Sequence, residues 1–78
     1  SMRTDTHDLE VKANKAKEFL NDRNLVKVAL VMRGRELSHI YLGYEKMKLF
    51  TTMVAEVATI AEPAKKQGNT IFMILSPK

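Results

Sequence analysis

The chain has no cysteine and no tryptophan, and its 78 residues include only three glycines, two prolines and two histidines. Each shortage closes a class of protein. Without cysteine there is no disulfide framework, no thiolate nucleophile and no cysteine-bearing zinc site, and a reducing cytoplasmic setting is the default expectation. His7 and His39 fall on different predicted elements with no third ligand at metal spacing, so no metal centre is expected. No phosphate-cradling loop of the G-x-x-x-x-G-K type occurs, and none of the sequence reads as a cofactor box. No apolar run approaches the roughly 20 residues that cross a bilayer, and Ser1 to Asp8 lacks the basic-then-apolar layout of a signal peptide. Ser1 ahead of Met2 reads as a cloning scar.

What is present is the composition of an ordinary folded domain, 45% apolar and 28% charged. At this length folding withdraws only roughly 60% of the chain surface from water, so a single small domain over residues 1–78 is expected. Asp5, Asp8 and Glu10 are the nearest approach to a carboxylate cluster. At a helix start they read as charges facing the positive end of the dipole, and no catalytic residue is expected. Thirteen Lys and Arg against nine Asp and Glu leave a net charge of +4. That excess suits a polyanionic partner and equally suits solubility.

Periodicity supplies the elements. Leu9, Ala13, Ala16, Phe19 and Leu20 fall on one face of a helix predicted from about His7 to Arg23, with a stop at Asn21-Asp22-Arg23-Asn24. From Leu25 to Arg33 the period is two: Val26, Val28, Leu30 and Met32 lie on one side, and Ala29 and Val31 make the other side apolar enough for a central strand. A long helix is predicted from Ser38 to the region before Pro63, with Ile40, Tyr44, Met47, Phe50, Val54, Val57, Ala58 and Ala61 as its apolar stripe and Gly43 permitting a close approach to a sheet. Ala64 to Gln67, a Gly68-Asn69 turn and the run Thr70 to Leu75 read as a closing hairpin stopped by Pro77. Met2-Arg3-Thr4-Asp5 looks like the tail of a further strand.

The basic residues are distributed suggestively. Lys12, Lys15 and Lys17 decorate the first helix, Arg33 and Arg35 straddle Gly34, and Lys65 and Lys66 precede the hairpin. If these converge at one end of a two-layer domain they make a continuous basic rim. In Arg33-Gly34-Arg35 a glycine turn offers two guanidiniums able to grip phosphate bidentately. Tyr44 reads as core, and no aromatic cluster marks the strands, so phosphate and shape recognition are favoured over stacking.

The stretch Arg33-Gly34-Arg35-Glu36-Leu37-Ser38-His39, continuing to Leu42-Gly43, closely resembles the G-R-E-[ML]-[AS]-H segment of the carboxy-terminal domain of bacterial translation initiation factor 3. Thr4-Asp5-Thr6-His7-Asp8 resembles that family's strand-to-helix junction, Val11-Lys12 and Lys17-Glu18-Phe19-Leu20 its first helix, and Ile71 to Lys78 its closing strand. The resemblance implies an α+β fold, a two-layer β-α-β-α-β-β sandwich with two helices on one face of a small mixed sheet. It implies that the first strand is largely truncated and that the family's amino-terminal domain and linker are absent. It further implies a monomer that binds the small ribosomal subunit through 16S-type ribosomal RNA, with no small-molecule substrate, cofactor or membrane. Such a domain prevents premature large-subunit joining and supports selection of the start codon and initiator tRNA.

Carried over by position, Arg33, Gly34 and Arg35 match the family's basic turn, with Lys12 next; Lys15, Lys17, His39, Lys65 and Lys66 complete the candidate RNA-contacting set. The chain departs from many members in having Asn14, Glu18, Val31 and Leu49 where those have arginine, and Gly68-Asn69 in place of Gly-Arg. A general RNA-binding module is the alternative, and a protein-interaction domain is another if the Leu42, Leu49, Met53 and Ile60 edge is exposed.

Overall fold

The computed structural model describes residues 6–78, and the strand tail expected at Met2 to Asp5 lies outside the described residues. α1 spans Thr6–Asn21, and its Leu9, Ala13, Ala16 and Leu20 are buried at a helical repeat. The two alanines keep the helix close to its support. Phe19, expected on this face, is 47% exposed; at 100° per residue it projects roughly 90° round the helix from the stripe centre. The predicted stop is where the helix ends. Arg23 adopts a left-handed φ of 69°, its N–H donates to the Leu20 carbonyl at 2.9 Å, and the Asn24 N–H donates to the Phe19 carbonyl at 3.0 Å. These paired bonds occupy the last carbonyls of the helix in the Schellman arrangement.

β1 follows over Val26–Val31, then a 3₁₀ helix over Gly34–His39, α2 over Ile40–Met53, β2 over Ala58–Gln67 and β3 over Thr70–Pro77. The strand order is β1-β3-β2, antiparallel at both junctions. The described chain is an α+β two-layer fold. The described sheet is antiparallel throughout, and the expectation of a mixed sheet falls on residues outside the described ones. Val26, Val28 and Leu30 pair in register with Leu75, Met73 and Ile71, and this face meets the helices. Lys27, Ala29 and Val31 on the other face are exposed. β1 is thus an edge among the described strands, where the apolar second face had suggested a central one.

The second helix is shorter than its apolar spacing suggests. Thr51 Oγ1 donates back to the Met47 carbonyl at 2.9 Å and Thr52 Oγ1 to the Lys48 carbonyl at 3.1 Å. Threonine side chains that compete for helix carbonyls, in a run rich in β-branched residues, favour an ending. Residues 54–57 turn, and β2 starts at Ala58. Val54 and Ala58 are buried as expected of the stripe, but they serve a turn and a strand. Pro63, read as the stop of the helix, lies inside β2, an edge strand whose register shifts between Ile60 and Glu62 and again between Glu62 and Lys65. A residue without an N–H is accommodated at such a place because the ladder is already interrupted. Tyr44, expected in the core, is 37% exposed, lying roughly 100° round α2 from Gly43.

Gly43 does bring α2 against the sheet. An ideal Cβ there would lie 2.6 Å from Ile71 Cδ1 and 2.9 Å from Met32 Sδ. Both neighbours are buried, so a side chain has to displace the core. Gly43→Val is therefore expected to lower stability by about 1–3 kcal/mol, measured by urea unfolding, while leaving the far-ultraviolet circular dichroism helical.

Candidate nucleic-acid interface

The turn between β1 and α2 is closed by reciprocal bonds. The Arg33 N–H donates to Glu36 Oε1 at 2.8 Å, and the Glu36 N–H donates to the Arg33 carbonyl at 2.8 Å. Arg33 itself is extended, with φ −126° and ψ 142°, and Gly34 is left-handed at φ 48°. The glycine is needed for its backbone, since a Cβ at this position would meet nothing within 4 Å. Arg33, Gly34 and Arg35 are all exposed. Neither guanidinium is ion-paired or hydrogen-bonded among the described residues. Glu36, the nearest carboxylate in the chain, is directed to a backbone N–H rather than to either fork.

This turn is fastened to the hairpin. The Met32 N–H donates to the Asn69 carbonyl at 2.7 Å, which places Arg33 beside the Gly68-Asn69 bend, where Gly68 has a φ of 61°. Lys66 lies opposite Ile71 and Lys65 opposite Phe72, close to the same bend. Arg33, Arg35, Lys65 and Lys66 therefore gather at one end of the sheet. Lys65 shares the helix-free face with Phe72, and Lys27 Nζ lies 4.5 Å from the centre of the Phe72 ring. Lys27 was outside the candidate set; the strict alternation of Val26 to Val31 already placed it on that open face.

The α1 lysines form a second group. Lys12 lies 3.7 Å from Asp8 in an exposed pair one turn apart, and Lys15 is exposed. Lys17 lines an open hollow of about 350 Å³ together with His7, Asn14 and Met53. Met53 ends α2, whereas the arginine turn leads into its start, and 14 residues of α-helix span roughly 20 Å. The basic rim is thus divided between the two ends of α2. His39, at the junction of the 3₁₀ helix and α2, is exposed and sits edge-on to Tyr41 with ring centres 6.0 Å apart.

The proposed apolar edge is not one edge. Leu49 and Ile60 are exposed, Leu42 and Met53 are half-buried, and Ile60 belongs to β2 rather than to the helix. Among the described residues no group of three or more His, Asp or Glu could hold a metal ion, and no helix is long and apolar enough to cross a membrane.

Residues 1–78 match the family model described as "Translation initiation factor IF-3, C-terminal domain". Proteins named Translation initiation factor IF-3 are similar to the chain: 47% identical over 75 residues in Borrelia garinii subsp. bavariensis, covering 95% of the chain and 40% of that protein. The Clostridium perfringens protein is 42% identical over 72 residues, covering 92% and 41%, and that of Geobacter metallireducens 36% over 76 residues, covering 97% and 44%. The chain spans about 40% of the length of the relatives from Borrelia and Clostridium.

Because the space around Gly34 is open, replacing it tests backbone conformation alone. Gly34→Ala is expected to cost about 1–2 kcal/mol from the left-handed backbone, with Gly34→Asn recovering part of the loss, both measured by chemical unfolding.

Proposed function

The chain belongs to the family of the translation initiation factor IF-3 C-terminal domain, and from that premise we propose that it binds the small (30S) ribosomal subunit through its ribosomal RNA. The observation that carries this is the pair of exposed, unpaired guanidiniums on a turn held by Glu36 and by the hairpin. The turn fixes the backbone from which both arginines project, the planar fork of each is pre-organised for phosphate, and no internal carboxylate has to be displaced. Lys65 and Lys66 extend the positive surface at the same end, while Lys12, Lys15 and Lys17 offer a second phosphate-facing group along α1.

The domain acts by occupancy. Covering RNA that the large subunit must reach shifts the association equilibrium by mass action and requires no bond to be made or broken. This prevents premature subunit joining and supports start-codon and initiator-tRNA selection; the activity is not enzymatic, and its setting is the cytoplasm, where ribosomes are. The domain works as a monomer. The bulged, proline-bearing edge of β2 supports that assignment, because it offers a poor ladder to a second copy.

Sedimentation with purified small subunits tests the proposal. The domain is expected to co-sediment with them at low salt, in the presence of excess unrelated duplex RNA, and to shift joined ribosomes toward free subunits. Arg33→Ala combined with Arg35→Ala is expected to weaken binding and to flatten the salt slope by roughly 0.7 to 1 per lost phosphate contact, while thermal unfolding stays nearly unchanged. Failure to bind subunits refutes the proposal, and displacement of the domain from subunits by the unrelated duplex favours the general RNA-binding module instead.

A further inference from the structure

Two tyrosines on α2 have no structural employment that accounts for their exposure. Tyr41 is 58% exposed and Tyr44 37%, three residues apart and thus neighbours on the watered side of the helix. Neither ring is needed to seal the core, which on α2 is formed by Gly43, Met47 and Phe50. Among the described residues the ring contact of Tyr41 is the edge-on one with the exposed His39. A tyrosine held with more than half its surface in water, on a rigid helix, presents a π-face at little entropic cost.

Its surroundings select the partner. Arg35 precedes Tyr41 by four residues of 3₁₀ helix and two of α-helix, a rise of at most roughly 11 Å along axes that bend at His39, whose φ is −128° and ψ 51°, within the reach of one or two nucleotides of extended single strand. Arg33 and Arg35 are exposed at the start of the segment that leads into α2 and carry unneutralised positive charge. Lys48 follows one turn after Tyr44 on the same face. Glu45 is the acidic residue on this side of α2, and Glu36 is turned to the Arg33 N–H. An aromatic surface bordered by unpaired arginines matches a ligand with flat rings on an anionic backbone; an apolar protein surface would leave the arginines without a counterpart.

We propose that Tyr41, walled by Tyr44, stacks an unpaired RNA base whose adjoining phosphate is held by Arg33 and Arg35. This rests on the ribosomal-RNA reading above and adds to it a site for a single unpaired nucleotide. Stacking tolerates any base, so the contribution is to affinity and to the requirement for an unstacked nucleotide, not to sequence.

The test uses the domain and purified small subunits. Tyr41→Ala is expected to weaken binding roughly 5- to 150-fold, the range for losing one stacked base, with the salt slope unchanged because no phosphate contact is lost. Tyr41→Phe restores binding, Tyr41→Leu does not, and all three unfold at the same temperature as the parent. Zero-length ultraviolet cross-linking of the parent complex is expected to join the Tyr41 peptide to a nucleotide. If the parent and the Arg33→Ala, Arg35→Ala variant behave as predicted above while Tyr41→Ala binds normally, stacking is refuted and the ribosomal reading stands. Full rescue by Tyr41→Leu, or a cross-link from Tyr41 to ribosomal protein, refutes it in favour of an apolar protein contact. A parent domain that ignores small subunits refutes both.

Discussion

Ile71, Met73 and Leu75, alternate residues of the last strand, are buried almost completely, and both α-helices and both other strands contact the strand that carries them. β3 is the only described strand with a partner on each side: β1 lies along one edge and β2 along the other. On the helix side its three residues share one buried core with Leu20 of α1 and Val54 in the turn, and Ile71 lies against Gly43 of α2. Fully burying each such side chain contributes on the order of 1.5–3 kcal/mol, a large part of what a domain this small can muster. The residues that organise the fold are therefore far from β1 in sequence, and the register of β1 is set by pairing with them.

The parts of this fold that the sequence displays are those in which one period runs unbroken. α1 shows its four-residue stripe and a polar stop, and β1 its alternation. The region from Ile40 to Gln67 is harder because buried positions continue at helical spacing after the helix has ended. Phe50, Val54 and Ala58 lie three to four residues apart and all are buried, yet only Phe50 is helical. Competing cues were present in Thr51, Thr52 and the β-branched residues after them. Pro63 also carried two meanings, a helix stop and an edge-strand residue, and only the interrupted pairing with β3 distinguishes them. The exposure of Phe19 and Tyr44 shows a related limit: a large apolar residue at the margin of a stripe is drawn inward only when a neighbouring element covers that margin.

The candidate site was legible in its motif and not in its surroundings. Arg33-Gly34-Arg35-Glu36 announces a glycine-dependent turn with two adjacent cations, and the structure supplies the reason for Glu36, which binds the Arg33 N–H rather than a guanidinium. That Lys65 and Lys66 join this end, while Lys12, Lys15 and Lys17 lie near the other end of α2, depends on where the hairpin bends and how α1 crosses the sheet. Neither is written in local periodicity. Lys27 beside Phe72 is an intermediate case, since alternation fixes the face of each residue but only the β1–β3 register brings the two side chains together.

Arg23 occupies the left-handed position at which helices most often use glycine, and its guanidinium donates to the Lys78 backbone oxygen at 2.8 Å. The Lys78 N–H in turn donates to the Val57 carbonyl at 2.9 Å, and its ammonium donates to the Ala55 carbonyl at 3.0 Å. A helix cap, the turn after α2 and the far end of β3 are thereby latched at one point, although 55 positions separate Arg23 from Lys78. Helix ends and terminal strands ordinarily fray independently and on their own timescales. Here the three ends share one set of bonds, so opening any one of them breaks contacts of the others, and the corner couples residues from both halves of the chain.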